Sequence, residues 1–302
     1  MNLFDAAVIG SGPNGLAAAI SLTQAGRSVV VLEASDTIGG GARTQELTET
    51  GFLHDVCSAI HPMGIGSPFL STLDLESHGL EWIHPLAPLA HPMDDGPAAL
   101  LERDLAATAA TLGADGKKWV RWMKPWVDRW EGFAVDALAP LGIPKHPIWM
   151  ASFGMQAMRS AISLAESRFD TPEGKALFGG VAAHSVMPLD MTPSAAIGMM
   201  LTIAGHAVGW PLPKGGAQSI PNALASLFRS LGGTIQTGIR VTDLEQVPTK
   251  GPILFETAPA RLADIAGNNL PLAFRKSLQN YRHGPGVFKI DYALDGPIPW
   301  RD

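Results

Sequence analysis

The chain of 302 residues has one cysteine, Cys57, and two tyrosines. A single cysteine excludes an intramolecular disulfide, a Cys-x-x-Cys redox pair and a thiolate-rich metal site, so a reducing, cytoplasmic compartment is expected. Charge is also scarce: 17% of residues are charged, and 22 Lys+Arg against 28 Asp+Glu leave a formal charge of −6. That balance argues against nucleic acid as a main partner, because phosphate backbones are held by basic fields. The N-terminus has no basic stretch followed by a long apolar one, so no secretory signal is expected. No His-x-x-x-His, His-Glu-x-x-His or carboxylate-rich loop occurs, and no Gly-x-Ser-x-Gly elbow. Neither metal ligation nor serine hydrolase chemistry is therefore expected.

What the chain has in surplus is glycine, 33 residues, and proline, 24, set among 46% apolar residues. This composition excludes disorder over the whole chain and fits a globular protein rich in tight turns. The length fits two domains or one large one. One stretch mimics a membrane span: the 23 residues between Asp190 and Lys214 include no Asp, Glu, Lys or Arg. Pro193, Gly198, Thr202, Gly205 and His206 dilute it, and Pro211 and Pro213 end it. A buried helix over 195–208 beside an apolar cavity is the expectation.

The strongest pattern lies at the start. Ala6 to Ile9 is a short apolar run of the kind buried on both faces of a parallel sheet. Gly10-Ser11-Gly12-Pro13-Asn14-Gly15 follows as G-x-G-x-x-G. Its glycines permit the turn out of the strand, the approach of main chain to a diphosphate, and close packing of helix on sheet. Leu16, Ala17, Ala19, Ile20 and Leu22 continue as a helical apolar face, with Gly26 placed as a C-terminal glycine. The free amides and positive dipole end of that helix would face the phosphates. A second buried strand, Ser28 to Leu32, ends in Glu33 and Ala34. Glu33 lies 18 residues after Gly15, where a ribose-binding acid is expected. NAD and FAD share this unit. A second glycine cluster, Gly39-Gly40-Gly41-Ala42-Arg43, favours FAD, which runs on past the ADP half and needs another close backbone approach and a cationic donor.

These residues carry a resemblance. G-S-G-P-N-G-L-A-A-A, V-V-V-L-E-A and G-G-G-A-R-T resemble the FAD-dependent phytoene desaturase and amine oxidase superfamily. Residues 51–62, 204–216 and 283–300 resemble its phytoene desaturase-like branch. The resemblance implies an α/β fold: a Rossmann-like FAD-binding domain, with a parallel sheet and helices on both faces, plus a mixed α+β substrate domain. It implies a discontinuous FAD domain at 1–70 and 211–265, and a substrate domain at 71–210 and 266–302. It also places Val241 on the adenine side, Thr257 and Pro259 in a turn near the dinucleotide, and Ile60 and His61 in a segment approaching the flavin ring. Relatives continue with a C-terminal glycine-rich segment that completes the flavin site, whereas here Trp300-Arg301-Asp302 falls inside a substrate-domain strand. The expectation is a C-terminally incomplete domain whose open sheet edges invite homo-oligomers. The activity implied is dehydrogenation or desaturation of an apolar small molecule by hydride transfer to flavin N5. An amine or amino-acid oxidase and a catalytically silent FAD-binding protein are the alternatives.

No catalytic acid–base pair stands out. Asp55 can fix a loop or touch the cofactor, and His184 and His206 can be core histidines or flavin neighbours. Met187, Met191, Met199 and Met200 fit an adaptable apolar lining or plain core filling. Trp119, Trp122, Trp126 and Trp130 form one stripe at helical spacing, flanked by Lys117, Lys118, Arg121, Lys124 and Arg129. Two readings stay open: core packing, and a helix contacting a membrane peripherally at a substrate entrance.

Overall fold

The computed structural model describes residues 3–94, 96–140 and 142–299. It divides into two compact units, one comprising Met1–Ala59, Asp74–Trp82 and Pro213–Asp295, the other Ile60–Leu73, Ile83–Leu212 and Gly296–Asp302. Residues 60–70 thus group with the second unit and residues 266–295 with the first, a different division from the one the resemblance implies.

In the first unit, four short strands form a parallel sheet in the order Ile253–Phe255, β1 (Ala6–Ile9), β2 (Val29–Leu32), Thr234–Gln236. Every residue of β1 and β2 is buried. Such inner strands have no solvent face, so they read as unbroken apolar runs and show no alternation. Helix α1 (Pro13–Gln24) returns the chain from β1 to β2, burying Gly15, Leu16, Ala19 and Ile20. That i, i+1, i+4, i+5 recurrence is one face of a helix. From β1 the chain proceeds to β2 on one side, while Ile253–Phe255 lies on the other. β1 is therefore a topological switch point, and a crevice opens beyond its carboxyl end.

One strand of this unit is short, and one stretch forms no ladder. The strand from Thr234 ends at Gln236. Gly238, at φ +70°, turns the chain, and the Ile239 N–H donates to the Glu33 carbonyl at 2.8 Å. No ladder forms over 283–294, where Val287 is 80% and Phe288 88% exposed. Trp300, in the same expected strand, lies outside the described residues.

The second unit is mostly helical, with one antiparallel ribbon, Leu89–His91 with Ala99–Leu101. Trp119, Trp122, Trp126 and Trp130 are all buried, in a cluster with Phe133, Phe169 and Phe178. The stripe is not one helix: Gly116–Val127 ends after Pro125, which supplies no amide, and Trp130 opens the next helix, Trp130–Ala137. Burying a large apolar side chain stabilises by roughly 1.5–3 kcal/mol, so four indoles inside the core are spent on packing. The membrane-contact reading of this helix thereby loses its aromatic anchors. Helix Ser194–Ala207 buries Ala195, Met199, Thr202, Ile203 and His206, as the uncharged run requires. Among the described residues, no helix is long and apolar enough to cross a membrane.

Among the described residues, two ionisable side chains of this unit are buried, Asp115 and His206. The buried Asp115 carboxylate accepts from the Asp170 and Thr171 amides at 2.9 and 2.7 Å and pairs with Lys118 at 3.0 Å. Burial opposes its charge, but those donors prevail and hold its pKa down at about 2. His206 Nε2 accepts from Trp119 Nε1–H at 2.9 Å, and its Nδ1 faces the Arg103 carbonyl at 3.3 Å. Burial lowers its pKa to about 4, against the Arg103 and Glu102 backbone bonds. It is a satisfied core histidine. Since its folded pKa lies below its unfolded value of about 6.5, the unfolded chain takes up the proton first. Stability should therefore fall as pH drops from about 6.5 to 4, by roughly 3 kcal/mol in total. In urea melts at pH 7, 5.5 and 4, His206→Gln should lose clearly less stability than the parent over this range. Identical losses would refute this placement of the acid sensitivity.

Candidate functional site

β1 delivers the chain to Gly10, whose φ of +105° is a conformation that side chains resist. Gly10 N–H donates to the Leu32 carbonyl at 2.9 Å and closes the turn against β2. Gly12 is then the N-cap of α1 and offers no side-chain cap, and Pro13 takes the first helical position. The first-turn amides consequently have no local partner. A side chain at Gly12 would put its Cβ 2.6 Å from the Glu256 Oε1. The approach is therefore one that only bare main chain allows.

Glu33 stands at the carboxyl end of β2. Its Oε2 accepts from Ser11 N–H at 3.0 Å and from Ser11 Oγ–H at 2.6 Å, and its Oε1 accepts from Ser35 N–H at 2.8 Å. Burial works to raise its pKa, but the Ser11 and Ser35 bonds outweigh it and hold the group below the usual carboxylate range. Glu33 is thus a fixed, ionised acceptor, suited to ribose hydroxyls and repellent to a 2′-phosphate.

Around these groups lies a cavity of about 360 Å³, lined by residues that include Gly10, Ser11, Gly12, Glu33, Ala34, Gly40, Val241 and Thr257. The structure therefore gathers one set of expected residues from five separate stretches of sequence. Pro13, Asn14 and Gly15 form the first turn of the adjoining helix. Gly40 continues into Gly41, which packs on Cys57, and the buried Ala42, whose amide donates to Gly39 O at 2.9 Å. Arg43 Nε–H donates to Gly40 O at 2.8 Å and braces this loop. Pro259 does not line the cavity; it opens helix Pro259–Ala266. Ile60 and His61 belong to the second unit, where the His61 amide donates to Pro211 O at 3.1 Å. Asp55 is a loop anchor: its Oδ1 accepts from Thr44 Oγ–H at 2.6 Å and Ala217 N–H at 2.7 Å.

The turn that the resemblance places near the dinucleotide begins at Glu256, which is not among the residues expected to bind the cofactor. Glu256, at the carboxyl end of strand Ile253–Phe255, reaches the start of α1, and its Oε1 accepts from Asn14 N–H at 3.1 Å. Its Oε2 is buried with no hydrogen-bond partner. Burial pushes its pKa up, the amides of Gly15, Asn14 and Gly12 pull it down, and Glu33 adds like-charge repulsion; the net shift is upward. An acid closing an otherwise apolar strand was the available signal. Arg240, Arg261 and Asp264 also line the cavity.

The second unit carries cavities of its own, two of which bear on function. One, of about 620 Å³, is lined largely by apolar groups, including Met93, Ala161, Ile162, Ala165 and Leu189. The other, of about 730 Å³, is lined by Arg121, Arg129 and Arg168 beside Trp122, Trp126 and Trp149.

Comparison with known proteins agrees with this geometry. Residues 8–73 match the family model of an NAD(P)-binding Rossmann-like domain. The chain is 24% identical to mouse (Mus musculus) pyridine nucleotide-disulfide oxidoreductase domain-containing protein 2, over 97% of this chain and 60% of that protein. It is 28% identical to a phytoene dehydrogenase of Streptomyces griseus, over 79% of this chain and 48% of the enzyme. The chain thus spans between 48% and 60% of the length of these two curated relatives. Among solved structures, a putrescine oxidase variant superposes with a TM-score of 0.57 at 20% identity, over 91% of this chain and 63% of that one. The sheet and its glycine turn form a Rossmann-like dinucleotide-binding domain, similar in sequence to the phytoene dehydrogenase and in fold to the putrescine oxidase.

ADP, the half-molecule common to NAD and FAD, is the direct probe of this cavity. Losing the Glu33 acceptor removes charged hydrogen bonds worth roughly 1.5–3 kcal/mol. Titration calorimetry of Glu33→Ala should therefore show ADP affinity reduced about tenfold to a hundredfold; unchanged affinity would remove Glu33 from the site.

Proposed function

We propose that the chain acts as an FAD-dependent oxidoreductase that dehydrogenates a largely apolar small molecule. The observation that carries this reading is the juxtaposition of the bare Gly10–Gly12 turn, the uncapped first turn of α1 and the ionised Glu33 on one cavity. FAD fits the residues present. The turn amides suit the diphosphate, Glu33 the adenosine ribose and Val241 the adenine face. The loop from Gly39 to Arg43 gives a longer cofactor a second close approach, which NAD does not need. When bound, FAD supplies a hydride acceptor at flavin N5.

The chain's own tasks are then binding, orientation and exclusion of water. Ile60 and His61 are the residues we assign to the flavin side, on the resemblance of their segment. The largely apolar cavity between Ala161 and Leu189 offers surface of the right character for a hydrocarbon substrate. The phytoene dehydrogenase relative supports such a substrate class.

The purified chain mixed with FAD and freed of excess should retain a flavin absorbance spectrum, which should bleach anaerobically with an apolar polyene such as phytoene. Gly12→Val should lose the flavin, because the added side chain occupies the path of the diphosphate. Full flavin occupancy in that variant would overturn the placement. Flavin that is bleached by amines and by no apolar donor would turn the reading to the amine oxidase alternative.

A further inference from the structure

The carboxyl group of Glu256 occupies the place at the head of α1 where an anionic ligand is expected. Its Oε1 takes the Asn14 amide at 3.1 Å, and its Oε2 would lie 2.5 Å from a Cβ on Gly15 and 2.9 Å from one on Gly12. The carboxylate is thus wedged over the two glycines whose bareness lets a diphosphate approach. As a helix cap it is well placed, since a negative group at a helix N-terminus is favourable. A plain cap, however, leaves the buried, unpartnered Oε2 without an account. A carboxylate and a diphosphate are both acceptors only, and two anions competing for one set of amides repel at close range.

We propose that Glu256 is a proton-coupled gate of the dinucleotide site: the diphosphate binds only as the Glu256 carboxylate takes up one proton from solvent, becoming a neutral acid that releases the Asn14 amide to the phosphates and no longer repels them. This rests on the dinucleotide reading above and deepens it. One proton moves from water to the carboxylate, and no other covalent bond changes. The upward shift of the Glu256 pKa by burial and by the Glu33 charge works in the same direction.

The charged groups facing Glu256 are few. Glu33 comes from the end of β2, Arg240 from the loop after Gly238, and Arg261 and Asp264 from helix Pro259–Ala266. Arg43 belongs to the adjoining glycine loop, and the β1–α1 turn contributes no charge. No histidine or cysteine lines the cavity. Glu256 is therefore the group in it that burial, with the nearby Glu33 charge, inclines towards taking up a proton.

The test is the dissociation constant of FAD for the full chain at pH 6, 7, 8 and 9, read by flavin fluorescence, in the parent and in Glu256→Gln. Uptake of one proton makes the parent's affinity fall up to about tenfold per pH unit above the pKa of the empty site. Glu256→Gln, which keeps a hydrogen-bond donor and carries no charge, should be nearly flat and bind at least about tenfold more tightly than the parent at pH 9. Parallel pH profiles for the two proteins would overturn the proposal. If the variant does not fold, calorimetry of the parent at pH 8 in phosphate and in Tris counts the protons directly: about one taken up per FAD supports the gate, and none overturns it. FAD binding to neither protein at any pH, with both folded, would instead remove the dinucleotide reading and the gate with it. FAD binding with no pH slope leaves that reading standing and removes the gate alone.

Discussion

The site in the first unit depends on a single electrostatic condition: the first turn of α1 presents amides that nothing nearby in the sequence can satisfy. Gly12 has no side chain to cap them, and Pro13 fixes the helical start without offering an N–H of its own. The sheet supplies the position. β1 lies between Ile253–Phe255 and β2, so the chain leaves it at the crevice where neighbouring connections diverge. A helix head so placed needs an acceptor from outside its own segment. In the protein by itself that acceptor is Glu256, 242 residues away in sequence.

Much of this could be read from local pattern. The buried runs Ala6–Ile9 and Val29–Leu32, the three glycines and Glu33 all speak through short-range rules: unbroken apolar residues for inner parallel strands, bare positions where main chain must approach a ligand, and an acid at a strand end. The same holds for helix Ser194–Ala207, whose uncharged face could only be core. What could not be read depends on long-range packing. The tryptophan spacing is compatible with one helix, yet the chain breaks after Val127 so that Trp130 can enter the same core from a second helix. Strand pairing over 283–294 requires a partner that local alternation cannot guarantee, and no ladder forms there. Asp55 and His206 were each open between cofactor and structure. Their partners, Thr44 and Ala217 for one and Trp119 for the other, are distant in sequence.

Glu33 and Glu256 show how one residue type takes two characters at strand ends on either side of β1. Glu33 receives three donor bonds, from the Ser11 amide and hydroxyl and the Ser35 amide, so its charge is stabilised more than burial penalises it. Glu256 receives the Asn14 amide on Oε1 at 3.1 Å, and burial outweighs the pull of the Gly15, Asn14 and Gly12 amides, so its acidity weakens. The difference follows from the β1–α1 turn itself. Ser11 points its amide and hydroxyl towards β2, whereas the turn offers the third strand only glycine main chain and the helix head. A serine at position 11 therefore does more than fill an unspecified place in the glycine motif. It commits one acid to permanent charge, suited to sugar hydroxyls, and leaves the other, at the phosphate end, as the group whose charge is open to change.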